Sequence, residues 1–183
     1  MAEYRRVNIK GGTYFFTLVT YQRQRIFSIP QARHLLIEAI DHIYKFHPFQ
    51  MHAYCILPDH VHFIWQLPEN DADYSSRISL IKGRFSKHCV AQFGLPLPKD
   101  TSRTRRRELT IWQRRFWEHC IRDEKDLNQH IDYIHYNPVK HGIVRQVRDW
   151  SSSSFFDYVR SGHYEIDWGD SYQAVDSKLD FGE

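Results

Sequence analysis

Residues Pro58-Asp59-His60-Val61-His62-Phe63-Ile64-Trp65 join a turn to a strand with two chemically different faces. Pro-Asp favours a tight turn, and successive side chains in an extended strand alternate between its faces. His60 and His62 therefore point the same way, about 7 Å apart, and the apolar residues that alternate with them point the other way. This stretch predicts a strand that packs one face on a core and presents two imidazoles on the other.

A second stretch, Asp132-Tyr133-Ile134-His135-Tyr136-Asn137-Pro138, reads as the end of a helix from about 124 to 137. Residues four apart share a helix face, so Tyr133 and Asn137 are expected side by side. Neutral imidazole is the commonest nitrogen ligand for metals, and an amide oxygen at Asn137 can complete a site begun by the two histidines. Pro138 disfavours helical geometry at the residue before it, which puts this site in the final turn.

Composition favours one domain and excludes several classes of protein. The 183 residues are 42% hydrophobic, which is enough for one core; we predict a domain over residues 1–150 and a tail over 151–183 that packs on it. Three distant cysteines without a C-x-x-C pair fit neither a disulfide framework nor a zinc knuckle, so we expect reduced, buried thiols. No stretch approaches a signal peptide or a membrane span, which predicts a cytoplasmic protein without membrane contact.

The order of predicted elements defines the fold class. Strands and helices are expected at 13–21 (strand), 30–43 (helix), 49–57 and 61–67 (strands), 74–93 (helix), 109–120 (strand) and 124–137 (helix). This order is that of an α+β fold, a ferredoxin-like split βαβ antiparallel sheet, with the Tyr133 helix and a C-terminal extension added. If the apolar face of the histidine strand lies beneath the first two helices, the Tyr133 helix must cross the opposite face of the sheet.

Positive charge is concentrated locally, although the net charge is only +3. The basic loop 94–108 contains several cations without apolar periodicity, a pattern typical of segments that bind an anionic partner. The predicted nucleic-acid contacts are Arg5, Arg6, Lys10, Lys82, Arg84, Lys87, Arg103, Arg105, Arg106, Arg107, Arg114 and Arg115. A solvated surface is the alternative for the N-terminal arm and for the second helix.

Together these motifs resemble a known family. His-hydrophobic-His on a strand, followed by Tyr-x-x-x-Asn on a helix, resembles the HUH single-tyrosine (IS200-like) transposases, in which the third ligand is usually Gln or His. The string Tyr-Ile-His-Tyr-Asn-Pro-Val-Lys-His-Gly, residues 133–142, is more specifically similar to the REP-associated tyrosine transposases, and asparagine as the third ligand matches that branch. Further similar segments are Phe15-Phe16-Thr17-Leu18-Val19-Thr20, Trp112-Gln113, Ser153-Ser154-Phe155 and Asp167-Trp168.

The resemblance implies a DNA transposase or endonuclease that cleaves and rejoins single-stranded REP-type hairpin DNA. It implies Tyr133 as the nucleophile, a 5′-phosphotyrosine intermediate, and Mg²⁺ or Mn²⁺ held by His60, His62 and Asn137. It also implies a monomer, with a dimer that exchanges the tyrosine helix as the alternative.

Three alternatives remain open on the sequence alone. Tyr136 is a second candidate nucleophile, three residues from Tyr133. The chain can also be a non-catalytic module that binds single strands by stacking on its aromatic residues, or a metal-dependent hydrolase that does not use Tyr133. We expect His119, His130 and His135 to be bystanders, although His130 lies one turn before Tyr133.

Overall fold

The described part of this computed structural model, residues 7–94 and 109–170, alternates strands with helices. Its elements are β1 (Thr13–Val19), α1 (Pro30–Phe46), β2 (Gln50–Ile56), β3 (His60–Gln66), α2 (Tyr74–Phe93), β4 (Trp117–Cys120), α3 (Glu124–Lys140) and α4 (Phe155–Arg160).

The four strands form one antiparallel sheet in the order β2-β3-β1-β4. Strands β3 and β1 occupy the centre and are buried almost throughout, which explains why both of their faces are apolar or carry fully enclosed polar groups. This order, with a helix between β1 and β2 and another between β3 and β4, is the split βαβ arrangement. The predicted fold class is therefore confirmed.

Helices cover both faces of the sheet. Val61, Phe63 and Trp65 pack in a core with residues of α1 and α2 such as Leu36 and Phe85. A second core on the opposite face contains residues from the three strands β1, β2 and β3 together with α3: Phe15, Ala53, Cys55, Ile64, Ile131 and Ile134. Helix α3 thus crosses the face that bears His60 and His62, as the alternation of the strand predicts.

Two elements differ from their predicted bounds. The strand expected over 109–120 is confined to β4, because Ile111 and Trp112 turn inward to fill the core of α1 and α2 while the next residues are exposed. Helix α3 runs through Pro138 to Lys140, three residues past its predicted end. Proline removes one backbone donor, yet the His141 amide still donates to the Asn137 carbonyl at 3.0 Å. The helix therefore continues past Pro138 as far as Lys140.

The C-terminal segment begins with residues 152–154, which pair with the outer edge of β2. The Ile56 amide donates to the Ser152 carbonyl at 2.9 Å, and the Ser154 amide donates to the Tyr54 carbonyl at 3.0 Å. These bonds cover an edge that would otherwise expose unpaired backbone groups. Further on, the Trp168 ring stacks on the Tyr164 ring with centroids 4.3 Å apart. The division at residue 150 stays a prediction, and residues 171–183 lie outside the described range.

The three cysteines are expected to be reduced and buried. Cys55 and Cys89 are buried and Cys120 is half-buried, and all three are free thiols. Burial raises the pKa of Cys89 to about 11, which keeps this thiol protonated and unreactive at neutral pH.

No helix in the described ranges is both long enough and apolar enough to cross a membrane.

Candidate active site

His60 and His62 stand next to one another on the face of β3 that α3 covers. Their ring centroids are 4.9 Å apart and their planes are nearly perpendicular. Both residues are buried, with 2% and 0% of their surface exposed. The sequence required this adjacency, because residues two apart in a strand share a face.

Each of these imidazoles is held through its Nδ1 atom. His60 Nδ1 lies 2.6 Å from Asp59 Oδ1, and His62 Nδ1 lies 3.0 Å from Thr17 Oγ1 on the neighbouring strand β1. A proton on Nδ1 that is donated to these oxygens leaves the lone pair on Nε2 of each ring. This is the arrangement by which outer residues prepare histidines to bind a metal.

The charge of Asp59 strengthens this arrangement. Partial burial alone raises the pKa of its carboxyl group, but the hydrogen bond and charge of His60, with the charge of Arg23, lower that pKa below its usual value. Arg23 Nη1 lies 3.4 Å from Asp59 Oδ2. Asp59 therefore remains a carboxylate at neutral pH and accepts from His60. Sequence reasoning treated Asp59 only as a turn residue, although its position directly before His60 was a usable signal.

Tyr133 comes to this histidine pair from α3. Its ring lies 5.5 Å from the His62 ring, centroid to centroid, at an interplanar angle of 71°. The Phe15 ring contacts both, with centroids 5.3 Å from His62 and 6.1 Å from Tyr133. Asn137, one turn further along α3, is fully buried. The structure therefore brings His60, His62 and Tyr133 together and places Asn137 on the same helix face as Tyr133.

Lys140 and His141, which follow Pro138 in the sequence, also contact residues of this site. Lys140 Nζ lies 3.1 Å from the Tyr133 hydroxyl oxygen, and the His141 ring lies 5.2 Å from the His60 ring. Sequence reasoning missed both, because it ended the helix at Asn137. The Lys140-His141 pair, which follows Pro138 after one valine, was the available signal.

The alternative nucleophile, Tyr136, lies on a different side of α3. A Cβ atom built on Gly169 would stand 3.6 Å from the Tyr136 ring, so Tyr136 borders the C-terminal segment. Tyr133, by contrast, contacts the histidine pair through His62. This placement favours Tyr133 over Tyr136 as a nucleophile at the histidine site.

The donor set of His60, His62 and Asn137 fits a divalent cation. It offers two imidazole nitrogens, which are common ligands of transition metals, and one amide oxygen, a donor type that suits Mn²⁺ and Mg²⁺. Water and phosphate oxygens would complete the shell of either ion. The hydrogen bond from His60 Nδ1 to the Asp59 carboxylate is the structural observation in favour of this fit, because a carboxylate only accepts and so leaves the lone pair on Nε2. The contact of His62 Nδ1 with the Thr17 hydroxyl is compatible with the same tautomer.

A separate cluster of His119, Asp126 and His130 has ligand atoms within 4.8 Å of one another. Asp126 Oδ2 already accepts from His119 Nε2 at 2.8 Å and from Arg122 Nε at 3.0 Å. Burial opposes ionisation of Asp126, but the hydrogen bonds from Arg122 and His119 prevail and hold its pKa well below the usual range. A guanidinium on the carboxylate repels a cation, so we interpret this cluster as the anchor of β4 to the start of α3.

His135 lies on the other side of α3, against the C-terminal segment. Its Nε2 lies 2.7 Å from Ser154 Oγ, and burial lowers the pKa of its imidazole to about 3. His135 and Ser154 are both buried and lie within hydrogen-bonding distance of each other between α3 and the C-terminal segment, so we interpret this pair as a packing contact.

The predicted nucleic-acid contacts that the structure describes lie in three places: before β1, on α2 and before β4. Helix α2, with Lys82, Arg84 and Lys87, covers the sheet face opposite His60 and His62. Lys82 Nζ donates to the Gln113 carbonyl at 2.6 Å and so helps to fix the segment before β4. Lys10, Arg114 and Arg115 are exposed. Arg5, Arg6, Arg103, Arg105, Arg106 and Arg107 lie outside the described residues.

This chain is similar to known proteins both in a family model and in whole sequences. Residues 8–137 match a family model described as "Transposase IS200 like". A REP-associated tyrosine transposase of Escherichia coli strain K12 is 45% identical over 168 residues, which is 92% of this chain and 91% of that protein. A Haemophilus influenzae protein of the same family name is 46% identical over 177 residues, 92% of this chain and 94% of its own length.

A solved structure is also similar to this chain in fold. It shows a REP-associated tyrosine transposase bound to a REP hairpin, and it superposes on this chain with a TM-score of 0.81 and 43% sequence identity. The match covers 97% of this chain and 96% of the other.

Proposed function

Because this chain belongs to the IS200-like transposase family, and within it to the REP-associated tyrosine transposases, we propose that it cleaves and rejoins single-stranded REP-type hairpin DNA through Tyr133. The observation that carries this proposal is the meeting of Tyr133 with His62 and His60 on one buried sheet face. A module that only binds DNA has no need to bring a phenol to a pair of oriented imidazoles.

His60, His62 and Asn137 would hold the divalent ion, Mg²⁺ or Mn²⁺. The bound ion would supply a positive charge that neutralises a phosphate oxygen during displacement. Asp59 and Thr17 orient the two imidazoles through their Nδ1 atoms. Phe15 packs against both the His62 and Tyr133 rings and so fixes their separation.

The proposed reaction exchanges one phosphodiester bond for another. The Tyr133 oxygen attacks phosphorus, the bond to the 3′ oxygen breaks, and the phenolic proton ends on that oxygen as a free 3′-OH. The 5′ side remains attached to Tyr133 as a phosphotyrosine. A 3′-OH from a second DNA end reverses the step without ATP, because the covalent link conserves the energy of the phosphodiester.

The proposed DNA partner rests on the relatives. A REP hairpin is the ligand of a solved relative that matches nearly the whole chain, and this supports a hairpin as the substrate here. Four of the predicted DNA contacts that the structure describes are exposed and are candidates for contacts with the phosphate backbone: Lys10, Lys87, Arg114 and Arg115. Because Tyr133 contacts His62 of its own chain, we also propose a monomer that cleaves in cis.

Denaturing electrophoresis of the protein with 5′-labelled and 3′-labelled single-stranded REP-type hairpins tests this function. We expect a covalent band with Mg²⁺ or Mn²⁺ that EDTA abolishes, that carries the label on the 3′ side of the cut, and that Tyr133→Phe eliminates. Tyr136→Phe is the matched control and should retain the band. DNA retention on native gels without any covalent band would instead favour a non-catalytic binding protein.

A further inference from the structure

Helix α3 places the ammonium group of Lys140 next to the hydroxyl group of Tyr133, the proposed nucleophile. Tyr133, Asn137 and Lys140 are spaced by four and three residues, so they form one stripe along the helix. Lys140 Nζ reaches within 3.1 Å of the Tyr133 hydroxyl oxygen, which is hydrogen-bonding distance. This contact exists only because α3 continues past Pro138 to Lys140.

The end of the helix fixes the position of this lysine. The Ile143 amide donates to the Pro138 carbonyl at 2.9 Å, and the Gly142 amide donates to the Val139 carbonyl at 2.9 Å. Gly142 has a φ of +63°, the left-handed geometry that ends a helix cleanly. The backbone at Lys140 is therefore ordered, although its side chain lies at the surface.

We propose that Lys140 is a further catalytic residue of this site, one that orients the Tyr133 oxygen for attack and stabilises that oxygen when it leaves phosphorus. The inference rests on the proposed function of Tyr133. An ammonium hydrogen on one lone pair of the phenol oxygen restricts rotation of the hydroxyl group, and the other lone pair is then available to phosphorus. Charge-assisted hydrogen bonds of this type are about twice as strong as neutral ones.

The role of Lys140 leaves the reaction balanced in both directions. In cleavage, the bond from the Tyr133 oxygen to phosphorus forms, the bond to the 3′ oxygen breaks, and the phenolic proton passes to the 3′ oxygen. In joining, a 3′-OH attacks phosphorus, the electron pair of the breaking bond returns to the Tyr133 oxygen, and the proton of the 3′-OH ends there. Lys140 keeps its own protons and contributes a hydrogen bond where negative charge develops.

The chain offers a matched control for this lysine. Lys125 is exposed near the start of α3, eight residues before Tyr133. Lys125→Met removes the same charge from the same helix without touching the proposed nucleophile. Lys140→Met keeps an aliphatic chain of similar length and removes the cation, whereas Lys140→Arg keeps the charge and the N–H donors, so the two variants together test the cation itself.

Single-turnover cleavage and joining of a labelled hairpin, at saturating DNA, test the proposal. Relative to wild type, we expect Lys140→Met to slow both steps by about 10- to 100-fold while the Kd for DNA changes by less than about threefold. Lys140→Arg should recover part of the rate, and Lys125→Met should match wild type. Propylammonium added to Lys140→Ala should restore activity, whereas tetramethylammonium, which has no N–H donor, should not.

The possible failures are distinguishable. A wild-type protein that forms no covalent adduct overturns the proposed function itself. Adduct formation at wild-type rates by Lys140→Met, or a loss that appears only in the Kd for DNA, overturns the role of Lys140 while leaving Tyr133 as the nucleophile. Circular dichroism melting of each variant identifies unfolding, and rescue by propylammonium is an outcome that a merely structural role does not produce.

Discussion

Removal of the Asp59 carboxylate should weaken metal binding at a site that Asp59 does not itself touch. Its Oδ1 lies 2.6 Å from His60 Nδ1, a short bond between a carboxylate and an imidazole N–H. Outer partners of this kind typically contribute 10- to 100-fold to metal affinity. Asp59→Ala should therefore raise the Kd for Mn²⁺ by about 10- to 100-fold, or about 1.4 to 2.7 kcal/mol.

Two further variants divide this effect into its parts. Asp59→Asn retains an oxygen that accepts from Nδ1 but loses the charge, so it should fall between wild type and Asp59→Ala. Arg23→Gln removes the outer cation, which lies 3.4 Å from Asp59 and is 44% exposed, and should change the Kd by less than about twofold. The backbone carbonyl of Asp59 accepts from the Thr20 amide and hydroxyl, and we expect these bonds to remain in every variant because they do not use the Asp59 side chain.

Electron paramagnetic resonance of unbound Mn²⁺, titrated with DNA-free protein, measures the Kd directly. Thermal melting of each variant without metal provides the control for folding. If Asp59→Ala binds Mn²⁺ as tightly as wild type and melts at the same temperature, the reasoning that the Asp59 carboxylate prepares His60 as a ligand is wrong.

Other substitutions test how the fold supports this site. Asp126→Asn should lower the free energy of unfolding by about 2 kcal/mol, since it removes the charge that His119 and Arg122 bind; urea titration measures this. The lowered pKa of Asp126 means that its contribution is present above the pKa of the unfolded chain, about 3.9, and is lost as the pH falls through the folded value. His135 has a folded pKa of about 3, below the 6.5 of the unfolded chain, so stability should decline as the pH falls from 6.5 towards 3. His135→Gln should flatten that decline in melting curves recorded across this range. Gly169→Ala should cost about 1 to 3 kcal/mol, because φ is +94° and the new Cβ would stand 2.7 Å from Val147 Cγ2; a wild-type melting temperature would contradict that estimate.

The central part of the site was predictable because it depends on short periods. Alternation along β3 fixed which way His60 and His62 point, and the four-residue spacing on α3 fixed the relation of Tyr133 to Asn137. The apolar residues between the histidines then required two helices on one face of the sheet. The only face left for α3 was the one that carries the histidines, and this is where it lies.

The parts that sequence reasoning missed depend on contacts between distant residues. Thr17 holds His62 from the neighbouring strand, and no local pattern marks a threonine in β1 for that role. The Ser153-Ser154 pair has no strand periodicity, because it follows the edge of β2 for only a few residues. Proline rules predicted the helix end at Asn137, but tertiary packing and the bonds after Pro138 prevailed over that local preference.

Two contacts hold helix α3 against the sheet, and neither contact involves a residue of the proposed active site. Near its start, Asp126 binds His119 of β4, at one edge of the sheet. In its second half, His135 binds Ser154, which is paired to β2 at the other edge. Tyr133 lies between these anchors, over Phe15 of β1 and His62 of β3 in the middle of the sheet. Because a helix held at two points cannot tilt freely, these contacts restrict the distance from the phenol to the histidines. The Ser153-Ser154 motif near the C-terminus thus supports the position of Tyr133 through the contact of Ser154 with His135.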